Sequence, residues 1–259
     1  MKLDMTLKFL GTGTSCGVPQ LRCGCRVCRS TDRRDARTRA SALLSVGGVN
    51  ILIDCSPDFY HQMLAAGQPD VDALIITHSH YDHVGGIDDL RPYCHARGGL
   101  DVYCQADVDS DLRTRIPYSF KADPYPGVPI FKLHDISAYE AFSIQGIDIM
   151  PFRVMHGLLP ILGYRIGNLA YITDCKTLPA ESVDVIKGVD TLVINALRPQ
   201  EHATHMNLNE AFDVINDVRP RKAYLTHMSH SMGLHAERAA MLPEGVQPAY
   251  DGLSINIVD

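Results

Sequence analysis

Apolar residues in this chain come in short runs separated by glycine- or proline-containing turns. The runs TLKFLG, NILID, VDALIITH, FRVMH, LAYITD and KAYLTH are each five to eight residues long, which is typical of β-strands. The stretches HQMLAAG, IDDLRPYCHARGG and LNEAFDVINDVRP instead have a helical pattern that stops at glycine or proline. Strands interspersed with helices predict a layered α/β fold rather than a helical bundle.

Ionisable side chains follow one of these runs in the stretch THSHYDHVGG. His78 and His80 are two positions apart, so an extended segment directs both side chains to the same side. The chain then turns, and Asp82 and His83 face a second point nearby. Imidazole and carboxylate donors suit zinc or manganese. The spacing therefore predicts metal ligands at two neighbouring positions.

Four other ionisable residues lie where an apolar run ends. They are Asp54, His156, Asp174 and His227. A single histidine or aspartate at such a position is more often structural than functional. Binding sites of layered α/β proteins are nevertheless built at strand ends and in the loops beyond them. Because five strand ends share this feature, we expect one common site.

A second group of candidate ligands lies near the start of the chain, in CGCRVC. Cys23, Cys25 and Cys28 have a spacing that suits thiolates on one tetrahedral ion. His230, three residues after His227, is a candidate for the fourth ligand, and Cys16 is an alternative. Reduced thiols without a metal are the other interpretation of this cluster. The remaining four cysteines lie in apolar segments and are expected in the core.

Composition narrows the class of protein. The 259 residues carry a formal net charge of −6, which argues against broad binding to long nucleic acids or membrane surfaces. No apolar run approaches the ~18 residues of a membrane span, and the first residues lack the pattern of a signal peptide. We expect one domain over residues 1–259, a cytoplasmic protein and no membrane partner. A homodimer stays open.

The basic stretch Arg22–Arg39 departs from the acidic balance. It contains seven of the 24 lysine and arginine residues. A solvated loop and a surface that guides anionic substrates are both compatible with it.

The motif HSHYDH, with Asp54 before it and three ligand candidates after it, resembles the metallo-β-lactamase fold superfamily. The resemblance implies a four-layer αβ/βα sandwich with two catalytic divalent metal ions, zinc or manganese. It implies that His78, His80 and His156 hold one ion, that Asp82, His83 and His227 hold the other, and that Asp174 bridges them. Asp54 would support the ligands without contacting metal. A hydroxide bridging the two metals would be the nucleophile, because coordination lowers the pKa of water to roughly 7.

The cysteine motif, the later THMSH and the ending AYDGLSI together resemble the cyclic phosphodiesterase subfamily of the carbon–phosphorus lyase pathway. Only the stretch between Ala106 and Tyr139 finds no match. This resemblance implies one structural zinc on Cys23, Cys25, Cys28 and His230. It also implies that His205 acts as general acid or phosphate contact, with His202 as a rival, and Asp82 counts as a catalytic residue as well as a ligand. A coenzyme-biosynthesis protein of the superfamily has similar cysteines, so the resemblance does not fix the substrate.

These observations favour a metal-dependent phosphodiesterase that acts on a small or cyclic phosphodiester. A thioester or lactam hydrolase, an RNA-processing nuclease and a non-hydrolytic metal-binding protein of cofactor assembly are the alternatives. The acidic balance argues against the nuclease. A complete ligand set argues against a pure binding protein, which has no need of an open water position.

Overall fold

The computed structural model describes residues 4–123 and 125–258, which form two seven-stranded sheets with helices on their outer surfaces. The strands are β1 (Met5–Gly11), β2 (Ser41–Val46), β3 (Val49–Ile53), β4 (Ala73–Ile75), β5 (Leu100–Cys104), β6 (Phe131–Asp135), β7 (Phe142–Ile144), β8 (Ile147–His156), β9 (Leu159–Ile166), β10 (Leu169–Tyr171), β11 (Thr191–Asn195), β12 (Lys222–Thr226), β13 (Val246–Pro248) and β14 (Ser254–Ile257). The α-helices are α1 (Phe59–Ala65), α2 (Tyr81–Val84), α3 (Arg91–Arg97), α4 (Ala106–Arg115), α5 (Ala180–Ile186), α6 (Leu208–Val218) and α7 (His235–Met241).

Both sheets combine an antiparallel part with a parallel part. The strand orders are β14-β1-β2-β3-β4-β5-β6 and β13-β12-β11-β10-β9-β8-β7. Strands β3 to β6 pair in parallel, as do β10 to β13. Because parallel neighbours end at the same edge of a sheet, the loops after β3 and β4 lie side by side, and so do those after β10, β11 and β12.

The core has three parts. One apolar cluster, with Phe9, Ile53 and Tyr171, lies between the two sheets, and one further cluster lies under the helices of each outer surface. In the second sheet, the hydroxyl of Tyr164 donates to the Ile76 carbonyl at 2.6 Å, and the Leu162 N–H donates to that of Thr77 at 3.1 Å. These bonds join the second sheet to the segment after β4. The predicted four-layer αβ/βα sandwich is confirmed.

The helices are short. The longest described helix, α6, has 11 residues and begins with a capping box between Asn207 and Glu210. None of the described helices is both long and apolar enough to span a bilayer. The loop that leads into α6, residues 196–207, takes part in the site described below.

The stretch without a sequence match contains α4 and β6. Only two side chains of α4, Val108 and Leu112, are buried, so no broad apolar stripe marks it in the sequence. Two ion pairs at i,i+4 spacing, Asp109–Arg113 and Asp111–Arg115, help to hold it.

A helix was predicted over IDDLRPYCHARGG, and the predicted first residue was wrong. A 3-10 turn over Ile87–Leu90 precedes α3. Pro92 lies in the first turn of α3, where its missing N–H has no helical partner to lose. The helix ends, as predicted, at glycine: Gly98 has a φ of 65°.

Candidate metal centre

Three candidate ligands or supports have a strained backbone. Asp54, Asp174 and His227 have φ values of 59°, 52° and 53°, in the left-handed region that non-glycine residues avoid. Asp54 and His227 directly follow β3 and β12, and Asp174 comes three residues after β10. Such a conformation costs about 1–2 kcal/mol per residue. Strain of this kind clusters at functional sites, and here it turns the side chains toward one another.

The first donor group consists of His78, His80 and His156, whose ligand atoms lie within 4.8 Å of one another. Nε2 of His78 is 3.0 Å from Nδ1 of His80. His156 donates through Nδ1 to the Thr204 carbonyl at 2.8 Å, which leaves its Nε2 free for a metal. Burial, and then the charge of His83, holds the pKa of His78 well below its usual value. A buried neutral imidazole is the form that binds metal.

The second donor group consists of Asp82, His83, Asp174 and His227, all buried. Nε2 of His83 lies 3.3 Å from Asp82 and 3.0 Å from Asp174, and Nε2 of His227 lies 3.4 Å and 3.2 Å from the same two carboxylates. Ligands bound tetrahedrally to zinc at about 2.1 Å are separated by roughly 3.4 Å. The four side chains therefore already have the spacing of a coordination shell.

The surroundings of Nε2 of His83 indicate whether a cation fits the second donor group. The atom is buried and makes no hydrogen bond, although two carboxylate oxygens lie within 3.3 Å. Burial opposes protonation of His83, but the negative charges of Asp174, Asp82 and Asp54 outweigh it and hold its pKa well above its usual value. The cluster thus requires positive charge among its carboxylates. A divalent cation, the usual partner of two carboxylates and two imidazoles, meets that requirement.

Asp54 holds both His83 and the segment after β4. Its Oδ2 accepts from Nδ1 of His83 at 2.7 Å. Its Oδ1 accepts from the Thr77 N–H at 2.8 Å, and the Thr77 hydroxyl donates to Oδ2 at 2.9 Å. A carboxylate in this position fixes the tautomer and orientation of the ligand histidine.

His205 lies at the edge of both donor groups. Its Nδ1 is 3.4 Å from Asp174 and falls within ligand distance of His156. Burial, and then the charge of His227, lowers the pKa of His205 to about 3. His202 stands farther out, with its ring 5.0 Å from that of His205, and belongs to neither group.

The three cysteines of the motif form a third donor group together with His230. Nδ1 of His230 lies 3.2, 3.3 and 3.5 Å from the sulfurs of Cys23, Cys25 and Cys28. A tetrahedral zinc with ordinary bond lengths separates sulfur and nitrogen ligands by about 3.5 Å. The N–H of Cys28 donates to the Cys25 sulfur, and this bond, with His230, lowers the pKa of Cys25 to about 6. Thiolate, the form that binds metal, is therefore accessible at Cys25, whereas burial raises the pKa of Cys28 to about 11.

The other cysteines lie outside this group. Cys16 is exposed and is not among its donors. The remaining four are buried, as predicted: Cys55, Cys94, Cys104 and Cys175.

Comparison with known proteins agrees with this arrangement. The family model of the beta-lactamase superfamily domain matches residues 49–228, more than half of the chain. The chain belongs to the metallo-β-lactamase superfamily. The sequence-based prediction of this superfamily is confirmed.

Three relatives cover nearly all of the chain. The crystal structure of a diphosphatase from the PhnP family superposes with a TM-score of 0.92 at 35% identity, over 100% of this chain and 99% of that one. The octanoyltransferase of Porphyromonas gingivalis is 46% identical over 247 residues, which are 95% of this chain and 50% of that protein. This chain therefore spans half the length of that relative. Zn²⁺-bound PqqB of Methylobacterium extorquens shares the fold, with a TM-score of 0.81 at 21% identity over 96% and 99% of the two chains.

Within this superfamily fold, Asp251 is a functional candidate that sequence spacing did not indicate. Its half-buried carboxylate accepts from the N–H and hydroxyl of Thr12 at 2.9 and 2.7 Å, and from those of Thr38 at 2.6 and 2.7 Å. The carbonyl of Thr12 in turn accepts from the N–H of Met228, the residue after His227. Asp251 therefore holds the backbone beside a strained ligand. Its one signal in the sequence is an acidic residue inside the apolar ending AYDGLSI.

The fold engages part of the basic stretch. Arg37 is buried and donates to the Thr12 hydroxyl at 2.8 Å and to the Ala249 carbonyl at 2.6 Å. Three further arginines of the stretch form ion pairs, which are Arg26–Glu237, Arg34–Asp32 and Arg39–Asp58. A surface that guides anionic substrates would therefore depend on the remaining three arginines, Arg22, Arg29 and Arg33.

Proposed function

We propose that this chain is a metal-dependent phosphodiesterase that hydrolyses small or cyclic phosphodiesters. The observation that carries the proposal is the position of Asp174. Its carboxylate groups with Asp82, His83 and His227 on one side and with His156 and His205 on the other. A carboxylate shared in this way suits two neighbouring divalent cations, zinc or manganese, held by the first and second donor groups. We further assign one structural zinc to Cys23, Cys25, Cys28 and His230.

Two bound cations would lower the pKa of bound water and neutralise phosphoryl oxygens. The protein's own residues supply orientation. Asp54 fixes His83, the Thr204 carbonyl fixes His156, and the partly exposed His80 marks the open side through which an ester reaches the centre.

His205 is our candidate for proton donation to the leaving oxygen. It is neutral in the free protein, because burial, and then the charge of His227, lowers its pKa to about 3 despite the nearby carboxylate of Asp174. A phosphodiester is an anion, and an anion next to an imidazole favours the protonated form. Substrate binding would therefore bring the proton to His205 at the point where the leaving alcohol needs it.

Two relatives suggest second candidates. The PhnP-family protein is named a diphosphatase, which favours a diphosphate linkage as substrate and keeps the chemistry at phosphorus. The name octanoyltransferase favours acyl chemistry, which in this fold would be thioester hydrolysis. We also propose that the protein is cytoplasmic and has no membrane or long nucleic-acid partner, while a homodimer stays open.

The test is a substrate panel assayed with zinc and with manganese. It contains a 2′,3′-cyclic nucleotide, bis(p-nitrophenyl) phosphate, a diester of diphosphate and an octanoyl thioester. We expect turnover of phosphorus esters, at least about 100-fold above the thioester, and its loss in His80→Ala. Turnover of the thioester alone, or undiminished phosphodiester turnover in His80→Ala, would overturn the proposal.

A further inference from the structure

Three exposed apolar side chains lie close in the sequence to donor histidines of the candidate metal centre. Tyr81 is 62% exposed, Leu158 is 96% exposed and Leu159 is 37% exposed. Each lies within three residues of His80 or His156. Single exposed apolar residues are ordinary on protein surfaces, but several grouped at the rim of a site indicate a binding surface.

The ring of Tyr81 has a fixed place beside His80. A Cβ atom added at Gly85 would lie 2.9 Å from two carbons of this ring, so the ring rests directly on the glycine. Gly85 has a helical φ of −64° and is therefore needed for space and not for backbone freedom. One part of the ring is thus covered by helix α2 while the rest faces solvent. An aromatic surface held in this way loses little conformational freedom when a ligand binds.

The two leucines lie on the opposite side of the opening, on the β8–β9 hairpin. Leu159 pairs directly with His156 in the antiparallel register, so both side chains project from the same face. Leu158 lies at the tip. The hairpin is held near the ligands, because a Cβ at Gly157 would lie only 3.0 Å from the Thr204 side chain.

The tyrosine and the leucines adjoin two donor histidines that lie close together. The rings of His80 and His156 have centroids 5.2 Å apart. Tyr81 follows the first of these histidines, in the first sheet's half of the molecule, and the leucines follow the second, in the other half. A ligand on a metal ion held by His80 and His156 would therefore have apolar surface on two sides.

We propose that Tyr81, Leu158 and Leu159 form a subsite for a planar, apolar group of the substrate, an aromatic ring or nucleobase carried on the phosphorus ester. The subsite rests on the proposed function, because it assumes that a phosphoryl group occupies the metal centre. A planar group stacks on a tyrosine ring, and its remaining edge removes leucine surface from water. The subsite selects aromatic esters over small aliphatic ones.

The test compares phenylphosphonate with methylphosphonate by titration calorimetry on the metal-loaded protein. Both probes carry the same phosphonate head group, and neither is an ester that can be hydrolysed. We expect the wild type to bind phenylphosphonate about tenfold more tightly, the scale of one aromatic stacking contact. Tyr81→Phe keeps the ring and should keep this ratio. Tyr81→Ala should bring it to about one, and Leu158→Ala combined with Leu159→Ala should lower it, in both cases without changing methylphosphonate affinity.

Tyr60→Ala is the matched control, since this exposed tyrosine belongs to α1 and should leave the ratio unchanged. Equal affinity of the wild type for both probes, or an unchanged ratio in Tyr81→Ala, would overturn the subsite. So would dissociation of a dimer by the same substitutions with the ratio intact, because the surface would then belong to a second copy of the chain. Phosphonate binding needs no turnover. Preferential phenylphosphonate binding without hydrolysis of any phosphodiester would overturn the proposed function and leave the subsite standing.

Discussion

At the scale of single residues, the site depends on imidazoles whose second nitrogen is already engaged. Nδ1 of His83 is held by Asp54, and that of His156 by the carbonyl of Thr204. Each bond selects one tautomer and directs Nε2 to the centre. His205 and His227 differ from these two, because Nδ1 of each is buried without a hydrogen bond.

The role of His205 can be tested by changing the leaving group. A poor alcohol leaves only if it is protonated, whereas nitrophenolate leaves unaided. We expect His205→Ala to retain both metals, to lose about 10²–10⁴-fold in rate on an alkyl or ribose diester, and to lose less on a nitrophenyl diester. His202→Ala should be mild by comparison. Equal losses on the two esters, measured by steady-state kinetics, would instead make His205 a phosphate-binding group.

The donor residues could be predicted from the sequence because strand ends and the HSHYDH spacing are local features. The contact of Asp54 with His83 could be expected only through the resemblance, since 29 residues separate them. Asp251 could not be assigned, because its partners Thr12 and Thr38 lie more than 200 residues away along the chain. Only the fold brings these residues together.

At the scale of elements, the segment after β12 carries ligands of two different centres. His227 belongs to the second donor group, and His230 joins the three cysteines. The cysteine loop therefore anchors the segment that positions a catalytic ligand. The sequence predicted this loop because its motif is compact, whereas α4 lacked a readable pattern.

Removing one thiol tests the anchoring role. Metal binding contributes to the free energy of folding, and Cys25→Ala removes that contribution. Each kcal/mol lost would lower the melting temperature by roughly 2–4 °C in a protein of this size. Cys16→Ala, which changes an exposed cysteine outside the cluster, is the control. A Cys25→Ala protein with unchanged melting temperature and zinc content would show that these thiols hold no structural metal.

A second variant tests the contact between β1 and the segment after β12. Asp251→Asn replaces one acceptor oxygen by an NH₂ group facing the donors of Thr12 or Thr38, at a cost of about 1–3 kcal/mol. We expect the variant to lose metal from the second donor group before it loses zinc from the cysteines, because Thr12 holds the backbone next to His227. Asp190→Asn, at a remote ion pair with Arg221, is the control. A variant that is less stable yet binds all its metals normally would limit Asp251 to a structural role.

At the scale of the whole molecule, the site exists because two sheets bring their strand ends to one edge. The first sheet contributes His78, His80, Asp82 and His83, and the second contributes His156, Asp174 and His227. Each half holds an incomplete set of the first and of the second donor group. The layered fold could be predicted from the strand and helix pattern, but the approach of the two halves depends on packing such as the contact of Tyr164 with Ile76. Loss of either half should therefore abolish both catalytic metal positions.

The most direct test of this account is phosphodiesterase activity measured against metal content in a single preparation. Protein purified without chelator should contain about three metal ions per chain, two of them catalytic and one, zinc, bound most tightly. Removal of the two weaker ions should abolish hydrolysis of the phosphodiester, and restoring zinc or manganese should return it. Asp174→Ala should keep only the tightly bound zinc and stay inactive. A metal-free preparation that hydrolyses the ester at the wild-type rate would contradict the account.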